Sequence, residues 1–240
     1  MKILAIDTSA SPVSAALLND GLLAGEFFLN TKTTHSQTLM PLVQSLLKTT
    51  DTDIKDIDVF AVNAGPGSFT GVRIGVATIK GMSMPLNKPC ASVSTLEAMA
   101  YSMPFSHGIV CAVMDARCQQ VYNALFMLNG GKPERITPDR ALKIEELQAE
   151  LEYYDDTVYL VGDGAELCFQ AYRETLENVV LTPENIRYQR AYGTAKAAEQ
   201  LAAEDRLCSS SALQPMYLRL PQAERELKAR QEKQAKQNEH

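Results

Sequence analysis

The chain lacks an excess of positive charge, paired cysteines, a long apolar run and paired histidines. Each absence removes a class of function. Its 240 residues carry 23 Lys and Arg against 29 Asp and Glu, a formal charge of −6, and the pI is near 5.2. Proteins that hold nucleic acid by their own field show a basic patch or an alkaline pI, so the composition argues against such binding and leaves open only a local patch. The opening Met1-Lys2-Ile3 runs directly into a strand-like segment, and no run approaches the roughly 20 apolar residues that span a bilayer. The expectation is a cytoplasmic chain with no signal peptide and no membrane association. Cysteines 90, 111, 118, 168 and 208 are scattered, odd in number and never C-x-x-C. Neither a disulfide framework nor a zinc site is indicated, and the plain expectation is buried, reduced thiols. His35, His107 and His240 form no H-x-x-x-H or H-E-x-x-H pair, so no metal is expected.

What is present is an ordinary globular composition, 45% hydrophobic and 22% charged, with one pattern written twice. Lys2 to Asp7 is an apolar run ending in an acid. A turn, a second run (Val13–Leu18), an Asn-Asp-Gly hairpin turn and a third run (Leu22–Leu29) follow. A hundred residues on, Ile109–Met114 ends at Asp115. Val121–Leu128 follows, then Asn129-Gly130-Gly131 and a third strand over Lys132–Ile136. The repetition predicts two domains of related topology.

Between the repeats the pattern alternates helix and strand. Helices are predicted over Ser36–Lys48, with Pro41 tolerable only near the first turn, and over Phe69–Met84. Strands are predicted over Val59–Asn63 and Cys90–Val93. Ser94-Thr95-Leu96-Glu97 fits a capping box at the start of another helix. Residues 102–106 read as the crossover between lobes. Beyond them the pattern gives helices over Lys143–Leu151, Leu167–Leu176 and Thr194–Ala203 and a strand over Val158–Val161. The domains are therefore 1–103, joined by 192–221, and 104–191, with a charged tail over 222–240 carrying Glu224–Lys228, Glu226–Arg230 and Glu232–Lys236 pairs.

Asn63 to Gly75, NAGPGSFTGVRIG, holds four glycines. It fails the P-loop pattern, because Val72 follows Gly71 where lysine is required. It also fails the dinucleotide fingerprint by one residue, and the nucleophile elbow because Pro66 and Thr70 replace glycines. What survives is packing: Gly67, Gly71 and Gly75 share one helix face, continued by Thr78 and Met82. A mid-helix glycine costs up to about 1 kcal/mol, so something must approach that face closely. The spacing leaves open whether it is the chain's own sheet or another subunit. Asp7 and Asp115 end the first strand of each repeat. Either could hold hydrated magnesium near phosphates, or simply cap the turn that follows. Gly162-Asp163-Gly164 is a weaker candidate for approach to a nucleotide.

Taken together, ILAIDTS (3–9), GPGSFTGVRIG (65–75), MDAR-x-x-x-VY (114–122), VGDG (161–164) and PMYLRLP (215–221) resemble the TsaB (YeaZ) family of bacterial threonylcarbamoyladenosine synthesis in tRNA. The resemblance implies two RNase-H-like lobes of the actin/Hsp70/sugar-kinase (ASKHA) superfamily, an α/β fold. It also implies a non-catalytic partner that binds and stabilises the catalytic paralogue TsaD, works with the ATPase TsaE, meets tRNA only through that complex, and forms homodimers when TsaD is absent. The docking helices of the family correspond here to Ser36–Lys48 and Phe69–Met84. The expected interface is Leu39, Leu42, Val43, Leu46, Phe69, Gly71, Val72, Gly75, Thr78 and Met82, with Gly71→Leu or Gly75→Leu breaking docking but not folding. Asp7, Thr8 and Ser9 are the expected nucleotide contacts, if any, with ATP or ADP at the junction with TsaD and none bound by the chain alone. The turn after Asp7 has no glycine, and no nucleophile–base pair can be assembled. A catalytic residue is therefore not expected, and a glycoprotease is not supported; a peptidase would need cleavage that is lost on replacing one serine such as Ser68. The competing reading is an ATPase or phosphotransferase of the same fold.

Overall fold

The computed structural model describes residues 1–31 and 33–219. The charged tail and its i,i+4 pairs lie outside the described residues. In chain order the first part is β1 (Lys2–Asp7), β2 (Val13–Asn19), β3 (Leu22–Leu29), α1 (His35–Thr49), β4 (Val59–Gly65), α2 (Phe69–Ser83), β5 (Cys90–Ser94) and α3 (Thr95–Tyr101). The second is β6 (His107–Asp115), β7 (Gln120–Asn129), β8 (Glu134–Arg135), β9 (Arg140–Lys143), α4 (Ile144–Leu151), β10 (Val158–Val161), α5 (Ala165–Tyr172), β11 (Val179–Leu181), α6 (Glu184–Arg187) and α7 (Ala191–Ala203).

The duplicated pattern becomes two sheets of one topology. In the first, the order is β3-β2-β1-β4-β5; in the second, β11-β10-β6-β7-β8, with β9 also paired to β7. Each sheet joins an antiparallel meander to two parallel strands. The third strand of the second meander, expected over Lys132–Ile136, is split into β8 and β9. Pro138 falls in the gap between them, and proline cannot donate to a ladder.

Both faces of the first sheet are covered, as a partly parallel sheet requires. On one face Leu4, Ile6, Phe60 and Val62 pack under Leu39, Leu42, Val43 and Leu46 of α1 and Val72, Val76, Ile79 and Met82 of α2. On the other, Ile3, Ala5, Ala61 and Val93 meet Ala191, Ala195 and Ala198 of α7. Helix α7 thus returns from the second half of the chain to the first sheet, and buried Leu213 follows it into the first core. The Glu26 carboxylate on β3 fixes the start of α7, accepting from the Tyr192 N–H at 3.0 Å and from Arg190 Nε at 3.1 Å.

Helix α3 lies between the lobes, with Leu96, Met99 and Ala100 packed against Val110, Ala112 and Phe126 of the second sheet. Only half of its capping box forms. Ser94 Oγ accepts from the Glu97 N–H at 3.3 Å and donates to Asp139 at 2.6 Å, while Glu97 reaches across the lobe boundary to Arg135 at 3.2 Å. Pro41 sits inside α1 rather than in its first turn. The four buried side chains on either side of it hold the helix against the cost of one missing backbone bond.

Candidate functional site

The glycine ridge faces inward. A Cβ at Gly67 would lie 2.3 Å from the Ser9 carbonyl oxygen, one at Gly71 2.0 Å from that of Thr8, and one at Gly75 2.5 Å from Thr8 Oγ1 and 3.1 Å from Val62. The chain's own β1–β2 turn and sheet therefore require these glycines. Thr8 Oγ1 donates to the Gly71 carbonyl at 2.7 Å, and the Ser68 N–H donates to the Ser9 carbonyl at 2.6 Å. The expected interface is corrected accordingly. Leu39, Leu42, Val43, Leu46, Gly71, Val72, Gly75 and Met82 are all buried within this chain, leaving only Phe69 and Thr78 partly open. A leucine at Gly71 or Gly75 has no room, so those substitutions perturb folding itself.

The outward face of the same two helices is a different set. On α2 it carries Thr70, Arg73, Ala77 and Gly81, all exposed, with partly open Ile74 and Thr78 beside them. On α1 it carries Met40, 39% exposed, and exposed Pro41 and Gln44. Small side chains dominate the α2 stripe, and a Cβ on Gly81 would meet nothing within 4 Å.

A cleft of about 770 Å³ opens between the lobes beside the N-terminus of α2. Ser9, His35, Ser68 and Gly71 line it from the first lobe, and Asp115, Arg117 and Asp163 from the second. The two strand-ending aspartates are used alike. Asp7 Oδ1 accepts from the Ser9 N–H at 2.8 Å, and Asp115 Oδ1 from the Arg117 N–H at 2.7 Å, so each caps its own turn. Their surroundings differ. Asp7 is 1% exposed, and loss of water pushes its carboxyl above the usual range, against the opposing pull of Ser9 and Asn63. Among the described residues, Asp7 Oδ2, Ser9 Oγ and Asn63 Nδ2 meet no hydrogen-bond partner within 3.5 Å. Of the three expected nucleotide contacts, Asp7 and Thr8 do not line the cleft, and Ser9 borders it as a buried residue.

Asp163 does line the cleft. It is wetted at the cleft mouth but hemmed in by protein. Stripping of water pushes its carboxyl up to about 6, the Gln189 hydrogen bond at 2.9 Å opposing this and the charge of Asp115 adding to it. Ser68 Oγ is the N-cap of α2, accepting from the Gly71 N–H at 3.3 Å. Among the described residues it has no hydrogen bond to a histidine, and no group of three potential metal ligands occurs. No described helix is long and apolar enough to cross a membrane.

Sequence reading missed the C-terminal wall of the cleft. The Met216 N–H donates to the Ala64 carbonyl at 2.6 Å, and Tyr217 stacks on Phe69 with ring centroids 4.6 Å apart. Arg73 lies 3.8 Å over Phe69 and donates to Tyr217 Oη at 2.8 Å, and Arg219 donates to the Ala116 carbonyl of the second lobe at 2.9 Å. The PMYLRLP stretch carried the only signal, as an aromatic and an arginine in an otherwise patternless segment.

Comparison with known proteins agrees with this geometry. Residues 29–227 match the family model described as "TsaD: tRNA N6-adenosine threonylcarbamoyltransferase". The chain is 33% identical over 225 residues to the tRNA threonylcarbamoyladenosine biosynthesis protein TsaB of Bacillus subtilis, covering 93% of this chain and 96% of that protein. It is 33% identical over 222 residues to TsaB of Escherichia coli, covering 91% and 95%. A solved structure of YeaZ from Pseudomonas aeruginosa superposes with a TM-score of 0.77 at 26% identity, over 90% of this chain and 99% of that one. The duplicated lobes, the glycine-bearing α2 and these relatives lead to one conclusion: the chain belongs to the TsaB (YeaZ) family.

Proposed function

We propose that the chain is a non-catalytic subunit of the machinery that makes threonylcarbamoyladenosine in tRNA, docking through the outward faces of α1 and α2 onto the catalytic paralogue TsaD. The observation that carries this reading is the division of labour in α2. Its inner glycines are consumed by the Thr8–Ser9 turn, while Thr70, Ala77 and Gly81 present a low outer stripe, flanked by exposed Arg73 and half-buried Lys80. Small side chains let a second helix pair come close. TsaD is the description of the family model that this chain itself matches, so a partner of like fold can present like helices in a quasi-twofold contact. The same surface serves a homodimer when the partner is absent. TsaE and any ATP or ADP belong to the assembled complex in this reading, and tRNA is met through it.

The enclosure of Asp7 and its use on its own turn weigh against the ATPase reading, which needs that carboxylate over a metal-bound phosphate. The test is an Ala77→Arg, Gly81→Arg double variant, co-expressed with TsaD of the same organism. Co-purification is expected to fall at least tenfold while circular dichroism and the melting temperature stay unchanged. Retained co-purification would refute the docking face. Magnesium-dependent ATP turnover by the purified chain alone, abolished in Asp7→Asn, would establish the competing reading.

A further inference from the structure

Five free cysteines are present, and two pairs of them lie close together. Cys111 and Cys168 are both sealed in the second-lobe core. The other pair is different. Cys90 opens β5, the edge strand of the first sheet, and Cys208 pairs with it in an isolated antiparallel bridge. The two residues exchange both backbone bonds, each N–H donating to the other's carbonyl at 2.8 Å. Such a directly opposed pair holds its Cα atoms about 5.5 Å apart with side chains on one face. A disulfide needs Cα atoms about 4.4–6.8 Å apart, which this pair meets, and Cβ atoms about 3.5–4.5 Å apart, so the Cβ atoms of a hydrogen-bonded pair, about 5 Å apart, must close by roughly an ångström. Both side chains pack against the same hydrophobic cluster. Cys90 is fully buried, its thiol 3.1 Å from Ser83 Oγ, whereas Cys208 is partly open to solvent.

We propose that Cys90 and Cys208 are a modification site, forming a reversible disulfide that staples the C-terminal strap to the edge of the first sheet. Cys208 roots the segment that buries Leu213, seats Met216 on Ala64, stacks Tyr217 on Phe69 and sends Arg219 to Ala116. A covalent root therefore holds the strap that walls the interlobe cleft and touches the start of α2. The inference is independent of what docks on α2. It replaces the expectation of uniformly buried, reduced thiols.

The co-reactant is a low-molecular-weight disulfide such as oxidised glutathione. The Cys208 thiolate attacks one glutathione sulfur, forming a mixed disulfide and expelling a glutathione thiolate. The Cys90 thiolate then attacks Cys208 Sγ, the Cys90–Cys208 bond forms, and the second glutathione leaves. Two protein thiols lose two electrons and two protons, and one small disulfide becomes two thiols. The partly open thiol suits first attack and the buried one suits resolution. Burial pushes both thiols upward, so exchange is expected to be slow at neutral pH and faster as pH rises.

The test uses the full chain in a Cys118→Ser background, which removes the exposed thiol. The folded protein is equilibrated with oxidised and reduced glutathione, alkylated, and mapped by non-reducing peptide mass spectrometry. The expected result is a cross-linked peptide joining residues 90 and 208. With it should come a rise in melting temperature on the order of 5–10 °C, as for closure of a loop of about a hundred residues, reversed by dithiothreitol. Adding Cys208→Ser should abolish the cross-link and the shift together while the reduced melting temperature stays near the parent's. A mixed glutathione disulfide at Cys208 that never advances, or a cross-link that forms only in urea, would overturn the proposal.

Discussion

Replacing Gly71 with alanine is expected to destabilise the protein, although alanine is the better helix former. The added Cβ would stand 2.0 Å from the Thr8 carbonyl oxygen, roughly 1.4 Å inside ordinary contact, with His35 Nδ1 a further 3.3 Å neighbour. The obstacle is backbone, held by the Thr8–Gly71 hydrogen bond and by β1, so it does not yield as a flexible side chain would. Overpacking of this kind costs about 1–3 kcal/mol, occasionally more, and the lost hydrogen bond adds about 1 kcal/mol. Alanine's helix propensity returns up to about 1 kcal/mol. The net is a loss of about 1–3 kcal/mol, or roughly 2–12 °C in melting temperature for a chain of this size. Gly81 is the control. It lies on the same helix, its Cβ would meet nothing within 4 Å, and Gly81→Ala is expected to stabilise by about 0.5–1 kcal/mol. Urea unfolding followed by circular dichroism gives both values. If Gly71→Ala matches or exceeds Gly81→Ala in stability, the inward orientation of the ridge is wrong.

Two further predictions concern charge. Carbon-detected NMR titration should place the Asp163 midpoint near 6, and Asp115→Asn should lower it by removing the like charge. Because the folded value lies above the ordinary carboxylate value, the folded state binds more protons between about pH 4 and 6. The group's contribution to stability therefore grows as pH falls through that window and is lost as pH rises through 6, so a stability effect of opposite sign contradicts the assignment. Glu26→Ala should cost about 2–3 kcal/mol by leaving Arg190, which also lies 4.8 Å over the Phe28 ring, without its carboxylate and the Tyr192 N–H without its acceptor. Urea unfolding reads it, and a cost under about 0.5 kcal/mol would mean that Glu26 does not anchor α7.

The fold was legible where local chemistry and tertiary packing agree. Alternating apolar runs, hairpin turns with Asp-Gly or Asn-Gly, and strand-terminal aspartates gave both meanders, because each of those signals lies within a few residues. The short β11 and α6 were not legible. Val179–Leu181 is three residues long, and Glu184–Arg187 buries none of its own side chains, so neither develops a period. The start of α7 was placed three residues late because its anchor, Glu26 on β3, is more than 160 residues away in the chain.

The candidate site was legible in its residues but not in its direction. Gly67, Gly71 and Gly75 recur at helical spacing, and that spacing records only that something comes close, since a neighbour within the chain and one outside it demand the same missing side chains. The three-residue Asp7-Thr8-Ser9 turn decides the matter, because its carbonyls and hydroxyl fill the space that a Cβ would need, and nothing in its sequence announces which way those atoms point. Once the ridge is turned inward, 3.6-residue geometry turns Thr70, Ala77 and Gly81 outward. Gly81 then becomes the informative glycine: a Cβ there meets nothing within 4 Å among the described residues, so none of them accounts for its lack of a side chain. A partner helix supplies a cause, and in that case Gly81→Ala should raise the stability of the isolated chain while weakening its hold on TsaD. An alanine there that stabilises the free chain and leaves the complex equally tight would remove the reason for placing the contact on that stripe.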